Sequence, residues 1–488
     1  MRIQLRFLAA VLAVGLMLWG WRDAQAERFI TLGPSDTFAL GQPIVSFEVF
    51  QDAAGTHSFG PTDERKNLLL DTGANGILLD GGAYDALRAR GYQTVSVYDE
   101  SGVAGTTPMD VSEAYRLDYT GSSGQRFTIP DARIMSNADL DFGSAAGFYG
   151  LIGMPGMAGK IMSMGINGEW ISSGGGLSLG ALSPPVTFPD EMPADAGHRY
   201  RVPLRMQDFE QSGLRHPNDP LPTWAPLPFT PVDVEDAGQS FRGEMLVDTG
   251  AQMSVISLAM ALALGVDENG DGSVDDDAID FMPITGVGGI ALMPVVQVGR
   301  LSVITDEGIE IGWTDLSVGV RDIDPSIAGI FGMNFFTEGW TDAIISELIC
   351  DLFPEFCTGE SPEGFLNDVH FDFRDIGSGQ GSMVFDLNPA KDVIQGAVDG
   401  DTNGDGVVNI TDANNVRNNF GEAGEGVLGD TFPFNGVVDV EDLNAVRNNL
   451  GAGAASNAVP EPSGLAMAFW TFVLTIPAIA GRRFLRRR

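Results

Sequence analysis

The chain has 488 residues with 28 basic and 66 acidic side chains, so its formal net charge at pH 7 is −38. Such a polyanion repels nucleic acid and anionic lipid, which argues against both as partners of the main body. Because 44% of the residues are hydrophobic, the chain is not compositionally disordered, and its length suits several domains.

The first 26 residues have the pattern of a secretory signal peptide. Arg2 and Arg6 give a positively charged start, and an apolar run follows from Phe7 to Trp21. Ala24-Gln25-Ala26 then fits the small-residue pattern of a cleavage site. We therefore expect residues 1–26 to be removed and the mature protein to be exported. An uncleaved membrane anchor is the alternative interpretation of the same apolar run.

The tetrapeptide Asp-Thr-Gly-Ala occurs twice, at residues 71–74 and 248–251. In both copies an apolar run that predicts a β-strand comes directly before the aspartate, and a second apolar run follows the turn. The repeat therefore supplies two carboxylates on equivalent supports, and two carboxylates are what a two-carboxylate hydrolase needs. For either aspartate alone, a capping or turn role is the alternative, since Asp-x-Gly loops are common turns.

A second landmark repeats at nearly the same distance from each motif. Leu151-Ile152-Gly153-Met154 follows the first copy, and Ile330-Phe331-Gly332-Met333 follows the second. The offsets are 153 − 71 = 82 and 332 − 248 = 84 residues, which indicates that one structural unit is duplicated. Short β-branched and aromatic runs between glycines predict an all-β unit, with short helices near 82–90 and 258–264.

Both landmarks together resemble the aspartic protease family, in which Asp-Thr-Gly presents the catalytic carboxylate and an apolar-apolar-Gly element packs behind it. Alanine after the tripeptide is closer to the retroviral-type branch, whereas two lobes in one chain are the pepsin arrangement. The resemblance implies a mainly β, bilobal, aspartic-protease-like double β-barrel, with an N-lobe at 27–194 and a C-lobe at 195–387. A proline-rich stretch at 183–193 is the predicted linker.

Asp71 and Asp248 are accordingly the predicted catalytic dyad. Two neighbouring carboxyls share one proton, so the ionised member can take a proton from water while the protonated member hydrogen-bonds the substrate carbonyl. No metal and no covalent intermediate are expected in this chemistry, and the expected substrate is a peptide or protein. The threonines of the motif are expected to brace the two loops, and the glycines to allow close backbone approach. These support residues are Thr72, Gly73, Thr249 and Gly250.

A glycine-containing hairpin that closes over the dyad is expected in this family. In the first lobe the segment from Tyr98 to Val103 is the flap candidate, with Tyr98 and Gly102 as its named residues. Tyr98 is either a substrate-positioning side chain or an ordinary strand aromatic. In the second lobe Ile284 to Gly289 is the counterpart, and its Gly-Val-Gly-Gly string lacks the lysine and the helix of a phosphate loop.

Within the second lobe an acidic loop has the ligand spacing of a calcium site through its ninth position. The candidate ligands are Asp267, Asn269, Asp271, Ser273 and Asp275. Ala278 stands at the position of the closing ligand, which would therefore have to come from another group. A solvated acidic loop is the alternative.

The chain has two cysteines, Cys350 and Cys357, which are close enough in sequence to close a small loop in an oxidising compartment. Their spacing fits no metal site, and four histidines in the whole chain leave little room for zinc or triad chemistry. A local disulfide is the predicted state.

Residues 396–453 carry a duplicated loop-and-helix pattern that resembles a dockerin. The candidate calcium ligands of the first loop are Asp401, Asn403, Asp405, Val407 (through its carbonyl), Asn409 and Asp412. Those of the second loop are Asp430, Asn435, Asp439 and Asp442. An inserted residue and Phe432-Pro433-Phe434 disturb the second loop, so structural Ca²⁺ is expected in the first more than in the second. The resemblance implies a cohesin-like partner; Asn/Asp-rich surface turns are the alternative.

The C-terminal end of the chain carries a second predicted targeting signal, in addition to the N-terminal signal peptide. Val459-Pro460-Glu461-Pro462, an apolar stretch from Leu465 to Ala480 and a terminal arginine cluster resemble, in this order, the bacterial PEP-CTERM sorting tail. The stretch is just long enough for a short membrane helix, and the positive-inside rule keeps the arginines cytoplasmic. For residues 459–488 the resemblance implies an exosortase-type enzyme that cuts near the motif. A plain single-pass anchor is the alternative.

Together these features predict an exported aspartic endopeptidase at the cell envelope or outside the cell, held by a C-terminal transmembrane helix until the tail is removed. One alternative is a catalytically inactive protein of this fold that serves in binding or in the extracellular matrix, tethered through its dockerin-like module. In another, that module recruits the peptidase to a polysaccharide-degrading assembly. A glycosidase is disfavoured, because its two carboxylates are not carried on twin Asp-Thr-Gly turns.

Overall fold

The computed structural model describes the chain as two compact units, one within residues 27–395 and one within residues 396–488. The residues described in the main unit are 29–34, 38–39, 41–102, 105–141, 147–166, 171–172, 182–195, 197–208, 216–324, 326–337, 364–388 and 394–395. Those described in the second unit are 400, 402, 408, 410–422, 429 and 437–450.

Several predictions from the sequence fall outside the described residues. They are the signal peptide (1–26), the sorting tail (459–488), the pair Cys350 and Cys357, and the calcium-loop residues Asp401, Asn403, Asp405, Val407, Asn409, Asp430 and Asn435. Among the residues that are described, no helix is long and apolar enough to cross a membrane.

The main unit is mainly β, as the sequence predicts. Its elements before residue 190 are β1 (Phe29–Pro34), β2 (Ile44–Phe50), β3 (Ser58–Gly60), β4 (Asn67–Leu70), β5 (Ile77–Leu79), α1 (Gly81–Arg88), β6 (Thr94–Gly102), β7 (Gly105–Ser112), β8 (Tyr115–Thr120), β9 (Arg126–Ala132), β10 (Met135–Ser136), β11 (Gly150–Ile152), α2 (Met154–Met157), β12 (Ile161–Met164), β13 (Ile171–Ser172), β14 (Leu182–Ser183) and β15 (Val186–Thr187).

The second half of the main unit also consists mostly of β-strands. Its elements are β16 (Arg199–Gln207), β17 (Leu227–Asp236), β18 (Gln239–Asp248), β19 (Val255–Ile256), α3 (Leu258–Leu264), β20 (Asp280–Gly286), β21 (Gly289–Ile304), β22 (Glu310–Val320), β23 (Gly329–Gly332), β24 (Leu366–Asp372), β25 (Gln380–Leu387) and β26 (Ile394–Gln395). Single 3₁₀ turns lie at Glu64–Lys66, Met333–Phe335 and Ile376–Ser378.

The two helices predicted to follow the motifs are present, and local signals set their ends. α1 begins after Asp80, whose carboxylate accepts the Ala83 N–H at 3.1 Å, and it ends two residues before the predicted limit. α3 has the predicted bounds: Ser257 caps its start, and Gly265, with φ of +80°, stops it in the left-handed region.

Two large sheets divide the main unit. One has ten strands, in the order β6-β7-β10-β5-β11-β4-β2-β8-β9 with β3 beside β2. The other has fourteen, in the order β15-β12-β24-β25-β16-β17-β18-β23-β19-β22-β1-β26, and the β20–β21 hairpin branches from it through β17 and β22. Along β16 the side chains of Tyr200, Val202, Leu204 and Met206 are buried while their neighbours are less so, which is the alternation of a sheet with one face on the core.

The sheets exchange strands across the predicted lobe boundary. β1, at the start of the chain, runs parallel to β22 of the second lobe. β12 of the first lobe pairs with β24 of the second, with Ser163 opposite His370. At this junction Ser163 Oγ lies 2.8 Å from His370 Nδ1, and His370 Nε2 lies 3.1 Å from Asp386 Oδ2, which also pairs with Arg199. The predicted lobes are therefore joined by a shared sheet and by a partly buried polar network.

The second unit contains α4 (Ile410–Asn419) and α5 (Val440–Asn449), one helix in each copy of the repeat. Its small core is a cluster of four buried valines, Val408, Val416, Val438 and Val446. Asp412, fully buried, accepts hydrogen bonds from the N–H and the hydroxyl of Thr402 at 2.8 and 2.9 Å. In the second copy, Asp442 accepts the Asp439 N–H at 2.7 Å. The calcium role of these three aspartates stays a prediction.

Candidate active site

Each Asp-Thr-Gly-Ala motif follows the buried end of a strand at the centre of its sheet. Asp71 follows β4, which runs parallel to β11, and the Asp71 N–H donates to the carbonyl of Ile152 at 3.0 Å. Asp248 ends β18, which runs parallel to β23 with Asp248 opposite Gly332. In both lobes the apolar-apolar-Gly landmark is thus the strand beside the motif, and the spacing of 82 and 84 residues reflects one repeated arrangement.

The landmark glycines lie where backbone atoms approach closely. Gly153 N–H donates to the carbonyl of Gly76 at 2.9 Å, and a Cβ built on Gly153 would fall within 3.0 Å of the Ala74 carbonyl. In the second lobe Gly332 N–H donates at 2.9 Å to the hydroxyl of Ser254 instead of to a carbonyl. A larger residue at either glycine would push the motif loop out of place.

The two threonines brace the loops across the lobe boundary in a symmetric way. Thr72 N–H donates to Thr249 Oγ1 at 3.1 Å, and Thr249 N–H donates to Thr72 Oγ1 at 3.0 Å. The hydroxyls donate onward, Thr72 to the carbonyl of Val247 at 2.7 Å and Thr249 to that of Leu70 at 2.8 Å. Both threonines are fully buried, so these four bonds hold one motif loop against the other away from water.

The motif glycines let the carboxyls meet. A Cβ built on Gly73 would lie within 3.0 Å of Asp248 Cγ, and one built on Gly250 would lie within 3.0 Å of Asp71 Cγ. Real Cβ atoms do not adopt such separations, so glycine is required at both positions by the opposite carboxyl. The structure therefore brings Asp71 and Asp248 into direct contact at the junction of the two lobes.

The electrostatics of the pair are those of two carboxyls that share a proton. Burial raises the pKa of both above the ordinary value, and the neighbouring charge of Asp248 raises the pKa of Asp71 further. Asp71 is 8% exposed, and Asp248 is partly exposed, so a solvent-facing edge remains. Asp71 accepts the Gly73 N–H at 2.8 Å, whereas Asp248 accepts those of Gly250 at 2.7 Å and Ala251 at 3.0 Å.

The two predicted flaps are β-hairpins, and their tips touch. β6 and β7 form the first hairpin, with Gly102 opposite Gly105; β20 and β21 form the second, with Gly286 opposite Gly289. A Cβ on Gly102 would lie 2.7 Å from Val287 Cβ, so the tips are in contact. Val287 and Ala74 of the first motif pack against one apolar cluster, which places both hairpins near the dyad.

Tyr98 of the first hairpin is completely buried, and it packs in that cluster with Met109, Val111 and Met135. In this arrangement its ring is part of the apolar support of the hairpin. The structure thus favours the ordinary strand aromatic over a substrate-positioning side chain.

An N-terminal strap, made of residues 38, 39 and 41–43, contacts the second motif loop. Ala39 N–H donates to the carbonyl of Gln252 at 2.8 Å, and the Gln252 amide donates back to the Ala39 carbonyl at 2.9 Å. The side-chain amide of Gln42, a buried residue, donates to the carbonyl of Gly250. A second contact mirrors the first: Ala225 N–H donates to the carbonyl of Asn75 at 2.9 Å.

No local sequence pattern predicts the strap, because its partners lie 208 and 213 residues away. A signal was nevertheless present. Gln42-Pro43-Ile44 and Leu227-Pro228-Phe229 stand before corresponding strands, since Ile44 pairs with Leu69 and Phe229 pairs with Leu246, each two residues before a motif aspartate. Extending the repeat upstream from the motifs would have aligned them.

The predicted calcium loop of the second lobe is closed by its own hydrogen bonds. The Asp267 carboxylate accepts the N–H groups of Gly270 at 2.6 Å and Gly272 at 2.8 Å, and these bonds lower its pKa. The remaining candidate ligands, Asn269, Asp271, Ser273 and Asp275, lie on the same exposed turn. Across the described part of the chain, no group of three or more His, Cys, Asp or Glu side chains is arranged to hold a metal ion.

One segment of the chain matches a known protein family. Residues 230–335 match the family model described as Aspartyl protease, and this segment is therefore similar to an aspartic protease domain. The matched segment includes Asp248 and the landmark glycine Gly332, while Asp71 lies before it. We found no curated protein that matches the chain. Among solved structures it is similar to basic 7S globulin from soybean, with 10% identity and a TM-score of 0.30 over 70% of this chain and 95% of that one.

Proposed function

We propose that the main unit is an aspartic endopeptidase in which Asp71 and Asp248 activate one water molecule between them. The observation that carries this proposal is the close approach of the two carboxyls, each of which fills the space that a side chain on the opposite motif glycine would need. Four hydrogen bonds made by Thr72 and Thr249 hold the two motif loops in this position. A binding protein does not need two buried carboxyls pressed together, because their mutual repulsion destabilises the fold.

The chemistry follows from the shared proton. The ionised carboxyl accepts a proton from water as that water attacks the scissile carbonyl, and the protonated carboxyl hydrogen-bonds the carbonyl oxygen as negative charge develops there. The resulting tetrahedral species collapses when the amine nitrogen receives a proton from the dyad. Both carboxyls then return to their initial state, and the enzyme forms no covalent intermediate.

The remaining predictions extend this proposal to the whole chain. We infer export through the N-terminal signal, retention at the envelope until the sorting tail is cut, and Ca²⁺ in the first loop of the dockerin-like module. The acidic composition of the chain supports an exported, carboxylate-rich protein. A cohesin-like domain is the proposed partner of the module, and mass spectrometry of the secreted protein would reveal both processing sites.

The test is peptide cleavage by the purified mature chain, with Asp71→Asn and Asp248→Asn beside it. We expect cleavage with a bell-shaped dependence on pH, and loss of at least about 10²-fold in kcat for either variant. Asp80→Asn is the matched control: it is buried after the next strand of the same lobe, and asparagine caps a helix as well as aspartate does. Absence of cleavage by the folded wild type at every pH would favour the binding protein instead.

A further inference from the structure

The side chain of Gln42 contacts the peptide group that joins Gly250 to Ala251. Its side-chain amide donates to the Gly250 carbonyl, while its backbone N–H donates to the carbonyl of Leu182 at 3.1 Å. Because Gln42 is only 4% exposed and held at its backbone, its amide has little freedom to move. The carbonyl of Gly250 is therefore fixed from the strap.

That carbonyl belongs to the same planar peptide as the Ala251 N–H, which donates to Asp248 Oδ1 at 3.0 Å. Fixing one edge of a peptide plane fixes the direction of the other edge. Pro43, the next residue of the strap, accepts the Leu70 N–H at 2.8 Å, and the Leu70 carbonyl in turn accepts the Thr249 hydroxyl. The strap thus contacts the second motif loop and the strand before the first motif, and the peptide that it holds presents an N–H group to Asp248.

The first lobe has no equivalent of this contact. By strand register Gln42 corresponds to Leu227, because Ile44 pairs with Leu69 where Phe229 pairs with Leu246. A leucine side chain has no donor. Within the described residues no hydrogen bond reaches the Gly73 carbonyl, whereas the Ala251 N–H of the second motif donates to Asp248 Oδ1 at 3.0 Å.

We propose that Gln42 is a positioning residue that holds the Gly250–Ala251 peptide against Asp248, so that Asp248 is the ionised base of the pair and Asp71 carries the shared proton. This inference rests on the proposed function of the dyad. It assigns different roles to two motifs that are identical in sequence.

The electrostatics of the pair agree with this assignment. Burial raises the pKa of both carboxyls, but the charge of Asp248 and its hydrogen bond with Asp71 push the Asp71 pKa up further. The hydrogen bond from Asp71 and the N–H groups of Gly250 and Ala251 oppose burial at Asp248. Asp71 and Asp248 are charged neighbours, so they titrate as a coupled pair with two midpoints. Weakening the hydrogen bond from the Ala251 N–H to Asp248 should therefore shift the lower midpoint.

The test compares Gln42→Leu with Gln252→Leu in the full mature chain. Gln252→Leu is the matched control, since it removes an amide hydrogen bond between the strap and the motif loop without touching the Gly250–Ala251 peptide. Carbon-13 NMR of aspartate-labelled protein follows the two carboxyls, and Asp71→Asn and Asp248→Asn assign their signals. Thermal melting shows whether each variant is folded, and Gln42→Met replaces Gln42→Leu if the latter is not.

We expect the Asp248 signal to titrate at lower pH than that of Asp71. In Gln42→Leu the lower midpoint should rise by about one pH unit, while Gln252→Leu leaves it unchanged. The acid limb of the kcat/KM profile should move in the same direction, with kcat about tenfold lower and KM little changed. An unchanged midpoint in a folded Gln42 variant, or an equal shift in Gln252→Leu, would overturn the assignment. Failure of the wild type to cleave peptides would contradict the proposed function alone, since the NMR titration does not require turnover.

Discussion

Replacing Thr249 by valine should destabilise the main unit without creating a cavity. The hydroxyl of Thr249 accepts the Thr72 N–H at 3.1 Å and donates to the Leu70 carbonyl at 2.8 Å. Thr72, Thr249 and Leu70 are all fully buried, so water cannot replace the lost partner. Valine has nearly the same shape, and the effect therefore isolates the hydrogen bonds.

The size of the stability loss follows from two buried backbone groups that lose their hydrogen-bond partner, the Thr72 N–H and the Leu70 carbonyl. A buried donor or acceptor left without a partner costs about 1–3 kcal/mol, so Thr249→Val should lower the free energy of unfolding by about 2–6 kcal/mol. Thr72→Val strands the Thr249 N–H and the Val247 carbonyl, and by symmetry it should have a similar effect. The double variant should fall short of the sum, because the four bonds form one network.

Urea unfolding followed by tryptophan fluorescence measures this effect in the main unit, because residues 396–453 contain no tryptophan. Thr230→Val is the control: this threonine is also buried, but its hydroxyl makes one bond, at 3.3 Å, to Pro203 of the same lobe. It should lose about 1 kcal/mol. If Thr249→Val and Thr72→Val are no less stable than Thr230→Val, the threonines do not brace the lobes as described.

Three further perturbations follow from the same geometry. Gly250→Ala places a Cβ against the Asp71 carboxyl, so peptidase activity should fall at least about 10²-fold in a folded protein, measured as kcat/KM. Burial acts to raise the pKa of Asp386, but hydrogen bonds from Arg199 and His370 outweigh it and hold that pKa at about 2. Asp386 therefore stabilises the fold by about 2 kcal/mol above pH 4, and this is lost as pH falls through about 2; urea unfolding of Asp386→Asn should lack that pH dependence. Val287→Gly removes the contact with Gly102 and should speed amide hydrogen exchange in the first hairpin.

Each of these three has an outcome that contradicts it. Gly377→Ala meets nothing within 4 Å, and equal losses in Gly377→Ala and Gly250→Ala would show a general effect of the substitution. A loss of stability between pH 4 and 2 in Asp386→Asn equal to that of the wild type would assign the acid transition to other groups. Ile290→Gly, a change at a position of the second hairpin that is 75% exposed, should leave exchange in the first hairpin unaltered.

The sequence was sufficient for the parts of the site that are contiguous. Each motif and each landmark glycine is a short string whose strand-turn-strand setting is encoded locally, and matched spacing then identified the repeat. The helix at 258–264 was equally readable, because Ser257 and Gly265 are local start and stop signals. Mainly β structure followed from the same short apolar runs.

What the sequence could not supply are contacts between distant segments. Gln42 meets Gly250 across 208 positions, and β1 joins the sheet of the second lobe through β22. No periodicity predicts which strands exchange between lobes, because the exchanged strands pair with segments that are far away in the sequence. The burial of Tyr98 was undetermined for a similar reason, because the cluster that surrounds it is assembled from several separate strands.

The most direct test of the shared dyad compares the cleavage rates of Asp71→Asn, Asp248→Asn and the double variant in one assay. Residues that act as a unit have non-additive effects, so the double variant should be no slower than the slower single variant. If the two losses multiply, or if either single variant keeps the wild-type rate, Asp71 and Asp248 do not form one catalytic pair.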